Sequence, residues 1–353
     1  MADPKQLAAS QGVSLHAAEL MCQSEVVDLH IDTFIPPRLP LVRYDLMKRH
    51  DKVLLGGRFF GHLDIPRILD SGLSGAMWSI TTNPFRRASR RWVVFQKNLE
   101  RFRAMVAATG GRLEIATTHA EYRAARARGA HVVLPAIQGG NALEKAPGGL
   151  DAIPNCPIVR VTLVHLTNAA YGITSSPLKF WKGKQGLTDK GRDFVRHLNA
   201  KRVFCDLAHI NERGFWDAVE VHDKHLPIVA THTGVTGVKP HWRNLDDRQV
   251  KAIADSGGVV GIIFAQNFLR PRGGPKDADL VVAHMEHVMK VGGEQAVALG
   301  TDYDGAIIPP HDLRSGLAYV RLVQKLLDRG HPDERIRGFL GENFLKSFAR
   351  LRP

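Results

Sequence analysis

Eight runs of near-continuous apolar residues, each of strand length, recur at 26–32, 75–80, 132–138, 158–165, 202–209, 227–233, 258–264 and 296–302. Between them the apolar positions fall at helical spacing, and several of these stretches follow a residue suited to cap a helix. Thr188 precedes DKGRDFVRHLNA, Asn211 precedes ERGFWDAVEVH, Asn244 precedes LDDRQVKAIADSGG and Asp277 precedes ADLVVAHMEHVMK. Strands that lack polar alternation are covered on both faces, as parallel strands are. Eight such alternations in 353 residues predict an α/β protein, a (β/α)8 TIM barrel. It is read as a single domain over 1–353, with an insertion after the first strand at about 33–74. The rival, an open doubly wound sheet, would normally carry a GxGxxG or P-loop motif after its first strand, and neither is present.

In a barrel, chemistry sits at the C-terminal ends of the strands. Here those ends are polar: VVDLHID ends at 32, RVTLVH at 165, VFCDLAH at 209, PIVATHT at 233 and AVALGTD at 302. His30 and Asp32 are two apart and point to one side of a strand. With His165, His209, His232 and Asp302 they would bring imidazoles and carboxylates to one mouth, a donor set suited to zinc or a similar ion. The chain has 17 histidines, so one alone says little, and His62, His119 and His131 have no claim beyond that. Four strand ends marked by histidine are a different matter, because scattered structural histidines have no reason to choose those places. Asp304 lies close enough to share the role given to Asp302. One run breaks the pattern: VVLPAIQGGN at 132–141 ends on an amide, Gln138, before two glycines.

Composition narrows the setting. With 44% hydrophobic and 24% charged residues, the chain is ordinary globular material. No apolar stretch approaches the roughly 20 residues of a membrane helix. The N-terminal segment has neither a basic region nor an unbroken apolar core, which argues against a secretory signal. Three cysteines, odd in number and never as CxxC, fit a reducing cytoplasm without a disulfide framework. The net charge of +13 invites a nucleic-acid partner, but RRASRR, RFR and YRAARARG are scattered. They lack the interleaved aromatics of a single-strand binder. They read as solvated helix faces, with an anionic substrate or polyanion as the remaining reading.

Taken together, these segments resemble the membrane (renal) dipeptidases, zinc peptidases of the amidohydrolase superfamily, from about residue 26 to GENFLKSF at 341–348. VVDLHIDTFIPPRL is similar to that family's opening HxD segment, and GLTDKGRDFVRHLNAKRVFCDLAH to its approach to the fifth strand. THTGVTGVKPHWRNLDDRQVKAIADSGGVVGI is similar to its second histidine, substrate arginine and following helix, and VALGTDYDG to its last aspartate. The resemblance implies that His30 and Asp32 bind one zinc while His209 and His232 bind a second. Asp302 would shuttle the proton of the attacking water, and His165 would polarise the scissile carbonyl and stabilise the oxyanion. Arg243 would clamp the terminal carboxylate of a dipeptide-like substrate, as a guanidinium fork can. A homodimer is also implied.

The departures concern the metal at Gln138 and the fit of the substrate around His30 and Asp32. Members of the family carry Glu where Gln138 stands, and that carboxylate bridges two zincs. The residue between His30 and Asp32 is Ile31 in place of Asn, and FIPP replaces the usual Leu-Pro-Trp. An amide keeps one carbonyl donor but loses the charge that offsets repulsion between two cations. Three outcomes stay open: a binuclear Zn2+ site of reduced affinity, a single-metal hydrolase, or a site retained for small-molecule binding without hydrolysis. The single ion would use His209 and His232, or His30 and Asp32, with Asp302. Glu144 would have to fold back across Gly139 and Gly140 to replace the missing carboxylate. The loops 33–74, 166–186 and 265–277, where the family pattern is thin, are expected to set substrate specificity.

Overall fold

In the computed structural model of the protein, residues 3–39, 44–50, 58–83, 85–177 and 186–353 are described. Parts of the expected insertion (40–43 and 51–57) and of the loop 166–186 (178–185) lie outside them. Among the described residues nine strands form: β1 (Val27–Ile31), β2 (Gly75–Thr81), β3 (Leu113–Ile115), β4 (His131–Gln138), β5 (Arg160–Thr162), β6 (Phe204–Asp206), β7 (Ala230–Thr233), β8 (Val260–Ile262) and β9 (Val297–Leu299). Eight of them run in the order β6-β5-β4-β2-β1-β9-β8-β7, every pair parallel. The ring closes between β6 and β7 through a parallel bridge, Asp206 to Val229, with Leu207 N–H donating to Val229 O at 2.9 Å. The expected (β/α)8 barrel is therefore what forms.

Sequence periodicity missed β3 because the apolar positions around it, Leu113, Ile115 and Ala116, are few and are broken by Glu114, whereas the other three-residue strands lie inside longer apolar runs. It pairs with the N-terminal half of β4 (Leu113 with His131, Ile115 with Val133) and leaves the C-terminal half to β5. Two helices, Pro4–Gln11 and Leu15–Gln23, precede β1, capped by the carboxylate of Asp3 and the hydroxyl of Ser14. Thr188 and Asn211 cap their helices as expected, each side chain accepting from the backbone N–H three residues on. Asn244 does not. The helix starts at Asp247 because Asp246 and Gln249 form a reciprocal capping box. Asn244 is buried in the preceding loop, donating to Lys239 O and Phe268 O at 2.9 and 2.8 Å. Asp277 is likewise displaced, with Ala278 at the cap of Asp279–Gly292.

Two strands carry an extra residue. Between Asp28↔Ala76 and Ile31↔Trp78, three steps on β1 span two on β2; between Ala230↔Val260 and Thr233↔Ile262, β7 does the same against β8. Such bulges re-aim a side chain at the cost of one ladder position. They fall at His30 and His232, whose ring centroids come within 3.7 Å.

Two other histidines are structural and electrically silent. His131 accepts from Trp78 Nε1 at 3.1 Å and faces Leu73 O through Nδ1, while His284 accepts from Val235 N–H and faces Leu269 O. Burial pushes both down from 6.5 to about 4. Both are neutral in the fold, whereas the unfolded chain takes up a proton below its own value of ~6.5. Their stabilisation is thus complete above about pH 6.5 and is lost as the pH falls toward 4. Each is worth up to about 3 kcal/mol. The melting temperature should fall across that window, and His131→Asn, which retains a donor for Leu73 O, should flatten the slope.

Candidate metal centre and substrate cleft

Backbone hydrogen bonds set the first three groups. Asp302 N–H donates to His30 O at 2.9 Å and Asp32 N–H to Tyr303 O at 2.8 Å, so β1 and the end of β9 interlock beyond their strand ladder. As a result His30, Asp32 and Asp302 offer ligand atoms all within 4.8 Å of one another, and all three are buried. Asp302 has φ +61° and His209 φ +66°, a left-handed conformation uncommon outside glycine, which Asp and His adopt more readily than most side chains. The surroundings hold both: Gly305 N–H donates to Asp302 O, and Ser175 N–H to His209 O at 2.7 Å.

Two buried aspartates that the sequence reading did not single out tie the strand ends together. Asp28 accepts from His30 N–H, Thr301 N–H and the hydroxyls of Thr301 and Tyr319. Asp206 accepts from Ala208 N–H, Thr231 N–H and the hydroxyls of Thr162 and Thr231. Each carboxylate thus fixes its own strand end and the threonine that precedes the next strand's site residue, Asp302 or His232. Against the burial that raises it, the Arg160 guanidinium and these donors hold Asp206 below the usual carboxylate range.

Arg160 was also missed. Fully buried, it lies 3.4 Å from Asp206 and donates to Thr162 Oγ1 (2.5 Å), Ser79 Oγ (2.9 Å) and His30 Nδ1 (2.9 Å). Its signal was available: a guanidinium at the head of the apolar run RVTLVH can be buried only with a carboxylate to meet it.

Gln138 stands at the centre. Strand register places it level with Thr81, Thr162 and, one strand further, Asp206. Its amide orientation is assigned from the hydrogen-bonding needs of its neighbours. The nitrogen then donates to both Asp32 oxygens (3.1 and 3.0 Å), and Oε1 accepts from His30 Nε2 (3.2 Å) and His165 Nε2 (3.3 Å). The glycines that follow are required by crowding. At Gly139, φ +89°, a Cβ would meet Asn141 Oδ1 at 2.8 Å and His165 Cβ at 3.2 Å; at Gly140 it would meet Leu163 O at 2.9 Å.

On the other side His209 Nε2 and His232 Nε2 face each other at 2.8 Å, and the His165 ring stands edge-on to His209. Burial pushes His30, His209 and His232 well below 6.5, with Arg160 adding to the effect at His30 and Arg243 at His209. His165 falls to about 4 for the same reason, so all four are neutral imidazoles. Burial raises Asp32 to about 7 and, together with the neighbouring Asp32, lifts Asp302 well above its ordinary value.

Arg243 lies behind His232, donating to His232 O at 2.6 Å, while its buried Nε has no partner among the described residues. It lines a cleft of about 230 Å³ with His209, His241 and Trp242. Trp242 is 41% exposed at its edge and packs on Phe268. Asp304 is engaged away from the His30, Asp32 and Asp302 cluster. It accepts from Gly61 N–H, His62 N–H and Thr33 Oγ1, pinning the chain that follows β1. Glu144 points elsewhere, 3.3 Å from Arg91, so the missing carboxylate is not restored from there.

The donors fit a divalent cation. Asp302 Oδ1 is buried without a hydrogen-bond partner among the described residues and lies 3.6 Å from His30 Nε2, while His209 and His232 turn their Nε2 atoms toward each other as an uncharged pair. His30, Asp206 and His232 form a second cluster within 4.8 Å, but the oxygens of Asp206 are already engaged by four donors.

A family model described as membrane dipeptidase (Peptidase family M19) matches residues 15–351. An uncharacterized protein from the pqqA 5' region of Klebsiella pneumoniae is 38% identical over 165 residues, 46% of this chain and 59% of that protein. The match therefore spans less than two thirds of that relative. A solved dipeptidase of family M19, named AC, shares 28% identity and a TM-score of 0.80, covering 93% of this chain and 98% of its own. A metallopeptidase from Rhodobacter sphaeroides, solved with a phosphinate mimic of the dipeptide L-Ala-D-Ala, shares 28% identity and a TM-score of 0.78, covering 93% and 99%.

Proposed function

Because this chain belongs to the membrane dipeptidase family of metallopeptidases, we propose that it hydrolyses the amide bond of a dipeptide or similar small carboxylate-bearing substrate. The observation that carries this reading is the convergence of His30, Asp32, His165, His209, His232 and Asp302 beside a cleft lined by Arg243. A divalent ion, Zn2+ in this proposal, would be held by residues of this cluster and would supply water ionised near a pKa of ~7. Asp302 takes the water's proton: its carboxylate is buried and poorly solvated, hence unusually basic, and one oxygen is uncommitted. His165 is neutral, and its Nε2–H, which rests on Gln138 Oε1 in the free site, turns to the developing oxyanion when substrate is bound. Arg243, charged and desolvated, receives the substrate's terminal carboxylate. The phosphinate dipeptide mimic held by the Rhodobacter relative supports this substrate class.

The deciding measurement is turnover of a dipeptide library by protein supplied with Zn2+, Mn2+ or Co2+. No cleavage under any of these would sink the reading. Gln138 favours a second one, binding without hydrolysis, which such an outcome would support if dipeptides still bound. Arg243→Met should lower kcat/KM for free dipeptides by about 10- to 200-fold, the worth of a charge-assisted contact. It should barely affect C-terminally amidated ones, a contrast that steady-state kinetics on matched pairs will read. The free thiols Cys22, Cys156 and Cys205 support a cytoplasmic location, and the family resemblance supports a homodimer.

A further inference from the structure

The four clustered histidines are not equivalent, and the partners of His30, His232 and His209 say how these three differ. Arg160 can only donate, so its contact at 2.9 Å requires a lone pair on His30 Nδ1. Neutral His30 therefore carries its proton on Nε2, and that N–H is directed at Gln138 Oε1. A protonated nitrogen has nothing to offer a cation. Asp32 is engaged as well, because the Gln138 amide donates to both of its oxygens. With glutamate at this position, two carboxylates would face each other at about the 3 Å separation of that contact, and only a cation or a proton could lie between them. The amide N–H groups do that work here.

His232 is set the opposite way. The Thr231 hydroxyl donates to Asp206 Oδ2 at 2.7 Å, so at 2.9 Å it can only accept from His232 Nδ1. The proton is fixed on Nδ1, and Nε2 presents its lone pair toward His209 Nε2. His209 Nδ1 has no hydrogen-bond partner among the described residues, so its proton can move from Nε2 to Nδ1 without breaking a bond there.

We propose that Gln138, acting with Arg160, holds the His30–Asp32 half of the centre as a metal-free hydrogen-bonded unit, so that the chain carries a single cation at His209 and His232. This rests on the dipeptidase reading for the presence of a metal, but not on hydrolysis. In the catalytic scheme it leaves His30 and Asp32 as positioning residues, oriented through Gln138, and not as ligands.

The test is metal content by elemental analysis after loading the full chain with Zn2+ and removing free ion, alongside ¹⁵N–¹H correlation spectra of the histidine rings. About one ion per chain is expected, with His30 keeping its Nε2 proton while His209 and His232 shift on loading. Gln138→Glu should raise the content to about two ions and remove the His30 Nε2 proton. Two ions in the parent protein, none at all, or one that displaces the His30 proton would each overturn the proposal. So would a folded Gln138→Glu protein still holding one. Should that variant not fold, the parent's stoichiometry and its His30 resonance decide alone. One bound ion without dipeptide turnover leaves this assignment standing and removes the hydrolytic reading instead.

Discussion

Asp302→Asn is expected to lower kcat for dipeptide hydrolysis by about 10²- to 10⁴-fold, the usual worth of a positioned proton acceptor, while leaving the folded protein at least as stable as its parent. Asparagine has the same shape and tolerates φ +61°, which most side chains do not. It also removes a carboxylate that burial and the neighbouring Asp32 both disfavour as an anion. Backbone contacts to His30 O and from Gly305 N–H are untouched by the change. Steady-state kinetics with thermal melts separates the two effects. A variant retaining more than about a tenth of parental kcat would place the proton acceptor elsewhere. A variant that unfolds would mean that the carboxylate holds the strand end, which the geometry assigns to Asp28.

The largest stability effect should come from Arg160→Met, at about 3–5 kcal/mol, because removing one partner of a buried pair strands the other. Arg160 is fully buried, and Asp206 beside it is held as an anion by that guanidinium and by four donors. Methionine fills much of the volume but leaves Asp206 without its countercharge, and Thr162, Ser79 and His30 without a donor. Adding Asp206→Asn should recover part of the loss, giving a coupling of about 1–3 kcal/mol in a double-mutant cycle by urea denaturation. Purely additive losses would show that the two residues do not act as a pair.

The barrel was legible because eight apolar runs of strand length alternate with helical spacing, and that period survives every local irregularity. The site was legible because a buried apolar strand that ends on His or Asp has an unusual residue to account for; Gln138 stood out by the same rule. The bulges in β1 and β7 were not legible, since an extra residue leaves no mark on apolar periodicity. Proton placement on His30 and His232 was also out of reach, because it depends on Arg160 and Thr231 from other strands. Asp28 and Asp206 were hidden for another reason. They sit within the quoted strand ends, but two or three residues before the histidines that drew attention. The start of the helix at Asp247 was misplaced because Asn244 and Asp246 are both good caps, and only the partnership with Gln249 decides between them.

The closure of the ring has one more consequence. Most neighbouring strands share a ladder of several residues, whereas β6 and β7 meet at one bridge, Asp206 to Val229, and a pair of backbone hydrogen bonds. His209 follows one side of this seam and His232 lies on the other. Their 2.8 Å contact, like the Thr231 hydroxyl on Asp206, is a rivet across the thinnest join of the cylinder. Whatever both imidazoles grip would fasten the barrel shut, so in the proposed scheme the two side chains offered to a cation would also brace the wall.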